Sequence, residues 1–523
     1  MRKVFTITRF ASPEFKEHLT RAVVPYQGNT TPLGTILEQL NKPPLACETA
    51  IFEENYVDED YQDEFTAFYG KAFKRYPHRC TRVHFFSDVI PTRTRIGFSR
   101  YKESYLGFVI LRPLDLQRVG RTILTPPVRS QDNEFITCKA KYPSHIYGDR
   151  FEVQGMPFIQ QDTQVGACAQ ASLWMLARYM SQRFYCREYL PSEINALAKA
   201  NVSGGRPLPA ERGLTAMQIL DALQGMGFPS VMYGINTVDY CSRHIESAFP
   251  EHGRTKDEKE KSKNLQRTAK LADIAYRYIE SGLPVILGTA DHAVVAVGHT
   301  YDHAVSNDGV AIKRIPSFFI NDDASGPYQE MLLFSNKPGK RSFLDVKVVI
   351  TVAPPEVTLT GEEAERMAMK SVDGFLSEPL QNGGLSFNDI LPAQRKDWGP
   401  WLKKKEYRTY LMRSVQLQQD IRTAMKAKNL HRAVGEKLLV LDYPKYVWVT
   451  EISSPALLNQ ATKGDRKCLG FVIVDTTAPS RTQGVIAMHY ADLFRAQSRH
   501  DSDDELVQVI PNSTPFKHRL SPG

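Results

Sequence analysis

Residues 160–176 read QQDTQVGACAQASLWML. A thiol, Cys168, sits among small residues, and an apolar run begins directly behind it. Leu173, Leu176, Ala177 and Met180 recur at the spacing of one helix face. This predicts a helix over 167–184 with Cys168 at its start. Two readings of such a cysteine compete. Free cysteine is among the most buried residue types, so a thiol on an apolar helix packs as a small hydrophobe. A thiolate at a helix start beside an imidazolium is a nucleophile, and Gly166 and Ala167 leave room for a substrate backbone. A base and an orienting group elsewhere in the chain decide between the two.

Of the 13 histidines, His292 has the most suggestive setting, in GLPVILGTADHAVVAVGHTY at 282–301. It opens a valine-rich strand just after a preceding strand and a short turn, so its side chain can face a cleft while the valines pack inside. His299 and His303 are the local competitors, and His299, at the far end of the strand, reads as a structural histidine. An orienting carboxylate is offered by SFFINDDASGPY at 317–328, where Asp322 and Asp323 end the next strand. Period-2 alternation predicts that only one of the pair points at His292, and Asp322 is the first choice. The bland reading is that both aspartates simply make the turn with Asn321 and Gly326. Oxyanion donors are the backbone N–H of Cys168 and a glutamine: Gln161 and Gln164 lie upstream, and Gln170 lies just past the thiol.

A glutamine ahead of a cysteine at a helix start, then GLTAMQILDALQGMGF at 213–228, then SGLPVILGTADHAVVAVGH at 281–299, then a strand ending in Asp, occur here in that order. The set resembles the papain-like cysteine peptidase superfamily, and within it the bacteriocin-processing (double-glycine) peptidase branch, over about residues 155–355. The resemblance implies an α+β papain-like domain. It implies Cys168 as nucleophile, His292 as general base and acid, Asp322 as orienting carboxylate and Gln161 as oxyanion-hole amide. Gln161 stands one position further from the cysteine than the family's glutamine. The activity implied is peptide-bond cleavage through a thioester, a hydrolase of the thiol protease type. If an amine rather than water resolves the thioester, the same site is a transglutaminase-like acyl transferase. A catalytically inactive, peptide-binding adaptor is the alternative from another class.

The chain has 523 residues, 42% hydrophobic and 24% charged, with a mean hydropathy of −0.35. That is globular composition in a chain too long for one core. A net charge of +8 over this length, with no long basic arm, argues against nucleic acid as partner. Seven scattered cysteines without a CxxC pair predict neither a zinc knuckle nor a disulfide framework. No metal or cofactor motif is present. No apolar stretch is long enough for a signal peptide or a membrane span, so no membrane partner is expected and a cytoplasmic enzyme is.

Four regions are expected: 1–150, a mixed α/β domain; 151–355, the papain-like domain; 356–395, a connector; and 396–523, a C-terminal α+β domain with a loose tail from about 498. Helices are predicted at FTAFYGKAFKRY (65–76), at GLTAMQILDALQGMGF with Thr215 as N-cap, and at EYRTYLMRSVQLQQDIRTAMKAK (406–428). The charge-dense 251–270 is expected as an exposed loop or surface helix. Strands are predicted at 105–114, 121–128, 282–289, 293–301, 317–328 (closing in a turn cluster of Asp, Ser, Gly and Pro), 346–355, 446–452 and 469–477. An intracellular peptidase with free activity would endanger its host. The expected partners are therefore a specific protein or peptide substrate and a regulator acting through the flanking domains.

Overall fold

The computed structural model describes residues 4–22, 31–94, 97–114, 118–128, 133–161, 168–199, 213–238, 243–302, 305, 310–377, 404–460, 467–479, 484–497, 505–509 and 516–517. Gln164, Cys241, His303 and residues 378–395 of the expected connector lie outside them. The class is α+β.

An antiparallel meander opens the chain: β1 (Val4–Arg9), β2 (Thr49–Tyr56), β3 (Cys80–Phe86), β4 (Tyr105–Leu111) and β5 (Val119–Leu124) pair in sequence order. Helices α1 (Pro13–Ala22) and α2 (Thr31–Asn41) lie between the first two strands, and α3 (Glu59–Ala67) follows β2. The helix predicted at 65–76 thus lies earlier. Asp58 caps it by accepting from the Tyr61 N–H at 3.1 Å, and Glu59 and Asp60 put negative charge in its first turn. A 3-10 turn over Tyr69–Lys71 replaces the expected continuation.

The chain then crosses between layers. β6 (Glu134–Ile136) pairs with a strand of the second sheet, while the hairpin β7 (Ala140–Ile146) and β8 (Asp149–Gly155) buries alternate residues Ala140, Tyr142, Ser144 and Ile146. β9 (Pro157–Phe158) returns to the edge of the first sheet beside β5.

Three helices follow: α4 (Cys168–Phe184), α5 (Pro191–Leu197) and α6 (Ala216–Gly225). Thr215 caps α6 in a reciprocal pair with Gln218. The second sheet has the order β10 (Ser230–Gly234), β16 (Val348–Val352), β11 (Val285–Gly288), β12 (Ala293–Thr300), β13 (Ser317–Asp322), β14 (Gly326–Leu332) and β15 (Arg341–Ser342). Val294, Val295 and Val297 of β12 are fully buried, each stabilising the fold by about 1.5–3 kcal/mol. At Gly298 a Cβ would lie 2.2 Å from the Phe135 carbonyl oxygen, so only glycine lets β6 approach there.

After the short α7 (Arg243–Ala248), α8 (Lys256–Glu280) runs for 25 residues. The charged segment at 251–270 was expected wholly at the surface. Its first half is, behind a Thr255–Glu258 capping box. From Leu271 to Ile279 the same helix is core, because LADIAYRYI supplies apolar side chains on most of its faces and its two charges are paired, Asp273 with Arg277 and Arg277 also with Glu365.

α9 (Gly361–Ser377) leads to a third antiparallel sheet: β17 (Glu406–Arg413), β18 (Tyr446–Ser453), β20 (Gly470–Asp475), β21 (Val485–Tyr490), β22 (Leu493–Gln497) and β23 (Glu505–Val509), with β19 (Lys467–Cys468) outside it. The single helix predicted over 406–428 is a strand followed by α10 (Ser414–Lys426). The reason is two-sided burial. Tyr407 and Leu411 enter the main core, while Tyr410 and Met412 enter a second core beneath α10 and α11 (Arg432–Leu439). A period of two serves both. Among the described residues no helix is long and apolar enough to cross a membrane.

Candidate active site

Cys168 is the first residue of α4 and is half-buried. The helix behind it is fixed from two sides. Ser172 Oγ donates to the Ala293 carbonyl at 3.2 Å, which ties α4 to the start of β12. On the opposite side, Trp174 Nε1 and an Arg178 guanidinium nitrogen both donate to Asp60 Oδ1 of α3, at 2.9 and 2.6 Å. A buried carboxylate of the N-terminal region thereby holds the helix that carries the thiol.

His292 closes the tight link between β11 and β12. The Thr289 N–H donates to the His292 carbonyl at 2.8 Å, and the His292 N–H donates to Thr289 Oγ1 at 3.1 Å. The valine-rich β12 behind it is buried, and the imidazole stands at its mouth, partly open to solvent.

Asp322 ends β13. Its Oδ1 accepts from His292 Nε2 at 2.8 Å and from the Ala324 N–H at 3.0 Å, and its Oδ2 accepts from Arg341 Nε on β15. His292 also hydrogen-bonds the Cys168 side chain. Nε2 is engaged by Asp322, which leaves Nδ1 as the ring nitrogen available to the thiol. The ring therefore lies between a thiol and a buried carboxylate.

Asp323 comes close as well, its Oδ1 3.5 Å from His292 Nε2. The expectation that only one aspartate faces the histidine does not hold. β13 ends at Asp322, after a register shift against β14, so alternation no longer governs Asp323. Both carboxylates are fully buried.

The charges reinforce one another. Burial works against a proton on His292. Hydrogen bonds to Asp322 and Cys168, with the fields of Asp323 and Asp322, outweigh it and raise the imidazole to about 10. Burial opposes ionisation of Asp322 too, but the bonds to His292 and Arg341 hold it well below the usual carboxylate range. Asp323 has no such bonds, and burial pushes it up to about 7.

The other sequence candidates separate from this centre. His299 is a core residue, with Nε2 3.0 Å from Glu280 Oε1 and the rings of Phe135 and Tyr276 against it. Gln161 is half-buried at the end of the stretch leaving β9, and makes no hydrogen bond to the Cys168–His292 pair among the described residues. Gln170 is buried within α4. Arg408 is buried on β17 and paired with Glu280 and Glu451.

Arg341 escaped the sequence reading. It sits in the polar stretch NKPGKRSF at 336–343, and nothing local distinguishes it from a surface arginine. Only the parallel pairing of β14 with β15 brings it to Asp322.

No protein-family model matches the chain, and a search of curated proteins returns no match. Among solved structures, the peptidase domain of Streptococcus ComA, a bifunctional ABC transporter involved in a quorum-sensing pathway, aligns at 16% identity and a TM-score of 0.19. That alignment covers 37% of this chain and 95% of the ComA domain.

Proposed function

We propose that the chain is an intracellular cysteine peptidase with a papain-like catalytic unit at about 151–355, flanked by domains at 1–150 and 396–523. One observation carries the reading: the His292 ring links the thiol of Cys168 to the buried, arginine-held carboxylate of Asp322.

In the proposed reaction the Cys168 sulfur attacks the carbonyl carbon of a peptide bond, forming a C–S bond and an oxyanion. The backbone N–H of Cys168 and the Gln161 amide receive the oxyanion. The proton on His292 Nδ1 passes to the departing nitrogen as the C–N bond breaks. A water, deprotonated by the now neutral imidazole, attacks the thioester and releases the acid and the Cys168 thiolate. Asp322 fixes the ring and stabilises its cationic form, and Arg341 fixes Asp322.

The flanks suit a specific rather than a digestive enzyme. Asp60 grips the nucleophile helix from the N-terminal side, and Arg408 and Thr409 grip α8 and α9 from the C-terminal side.

The test is incubation of the full chain with a broad peptide library, with acid quench and mass spectrometry. New peptide termini together with an acyl group on Cys168, both absent in Cys168→Ala, support the proposal. Products joined to an added amine in place of free acids would assign a transferase. Intact peptides bound at the cleft of the unmodified enzyme would assign an adaptor.

A further inference from the structure

Asp323 is fully buried, and neither of its oxygens reaches a hydrogen-bond donor. A buried carboxylate without a hydrogen-bond partner needs a proton or a cation, and the cation beside Asp323, His292, is shared with Asp322. The acyl-transfer chemistry uses Asp322 and leaves Asp323 without a task. Yet Asp323 faces the same imidazole nitrogen as Asp322.

We propose that His292 Nε2, Asp322 Oδ1 and Asp323 form a binding site for a divalent metal ion of the zinc class, and that its occupation stops turnover at Cys168. The three ligand atoms lie within 4.8 Å of one another. Zinc bonds of about 2.0–2.2 Å in a tetrahedron put neighbouring ligand atoms roughly 3.4 Å apart. The nitrogen stands 2.8 Å from Asp322 Oδ1 and 3.5 Å from Asp323 Oδ1, so shifts of a few tenths of an ångström suffice. One imidazole and two carboxylates, with a fourth position for water, are a zinc donor set. Arg341 engages the other oxygen of Asp322 and leaves Oδ1 to the metal. The two carboxylates and an ionised Cys168 carry three negative charges; Arg341 and a dication cancel them.

With Nε2 taken by the aspartates, Nδ1 is the nitrogen left to Cys168, so the thiol stays outside the inner shell. Its sulfur accepts from Nδ1–H, the place usually taken by a carboxylate or carbonyl behind a metal-bound histidine. This geometry makes the metal an inhibitor. A metal on Nε2 replaces one of the two protons of the imidazolium. The remaining Nδ1–H can then be given to a leaving group only by forming an imidazolate, so the proton relay is blocked. Binding stands on the three side chains alone; the block on turnover rests on the peptidase reading.

Cobalt(II) titration of the full chain tests both. The expected result is a saturable visible spectrum of tetrahedral cobalt without a thiolate-to-cobalt charge-transfer band. Cys168→Ala, or the wild type alkylated beforehand, should keep that spectrum. Asp323→Asn, checked for folding by circular dichroism, should weaken binding at least about tenfold. Zinc should displace cobalt and abolish peptide cleavage in parallel. A thiolate band that disappears in Cys168→Ala, unchanged affinity in folded Asp323→Asn, or no saturable spectrum overturns the site. Cobalt binding in a protein that never cleaves peptides keeps the site and removes the peptidase reading.

Discussion

His292 and His299 belong to the two ends of β12, and each stands beside a buried carboxylate. Their surroundings differ in ways that decide what each can do. His299 is sealed: Glu280 takes Arg408 as a second partner, Arg408 also holds Glu451, and aromatic rings close over the imidazole. Burial opposes charge on Glu280, and the fields of Arg408 and His299 hold it well below the usual range. That network joins α8 to the third sheet and has no route to solvent. His292 has the same pairing with one face left open, and on that face stands Cys168. A histidine–carboxylate pair is thus a fastening when enclosed, and it becomes a candidate for proton transfer when a nucleophile and an open side are added.

The largest effects should separate these two pairs. Cys168→Ala and His292→Ala should each lower peptide cleavage by at least about 10⁴-fold, and Cys168→Ala should do so without moving the unfolding midpoint much. His299→Gln, measured at a temperature where it is folded, should keep cleavage within a few-fold. Equal losses at both histidines would erase the distinction.

Glu280→Gln attacks the sealed pair. It leaves Arg408 buried beside too little negative charge and should cost about 3–5 kcal/mol in urea unfolding. Alkylation of Cys168 in the folded protein should be unchanged.

The third effect is on pH. Asp323 holds its proton in the folded state up to about pH 7, whereas the unfolded chain loses it in the ordinary aspartate range. The folded state therefore binds more protons between these values, and stability falls as pH rises through that window, by up to about 1.4 kcal/mol per pH unit. Asp323→Asn should flatten that slope and be the more stable protein at pH 8, as read by thermal unfolding across pH. A slope of the opposite sign in the wild type would contradict the burial argument.

Arg341→Met should give the smallest change. Loss of one charge-assisted bond of about 1.5 kcal/mol to Asp322 corresponds to about tenfold in kcat/KM.

Much of the site's scaffold was legible because its signals are local. The apolar spacing behind Cys168, the Thr215 cap and the valine run after His292 each mark an element within a few residues. Three things were not local. β17 looked helical because its two faces feed two different cores, and neither core is visible in EYRTYLMR. The inner half of α8 was hidden behind its charged first half. Arg341, Asp60 and the approach of Asp323 depend on strand pairing and on a strand end, which residue order alone does not set.

The most direct measurement is the rate of Cys168 alkylation against pH, located by mass spectrometry, in the wild type and in His292→Ala. At pH 6 an ordinary thiol, with a pKa of about 8.5, is almost wholly protonated and reacts slowly. The account predicts that Cys168 reacts readily there, that half-buried Cys186 does not, and that His292→Ala removes the difference. A Cys168 that reacts no faster than Cys186, or only on unfolding, would contradict the account and make the opening of α4 a packing feature.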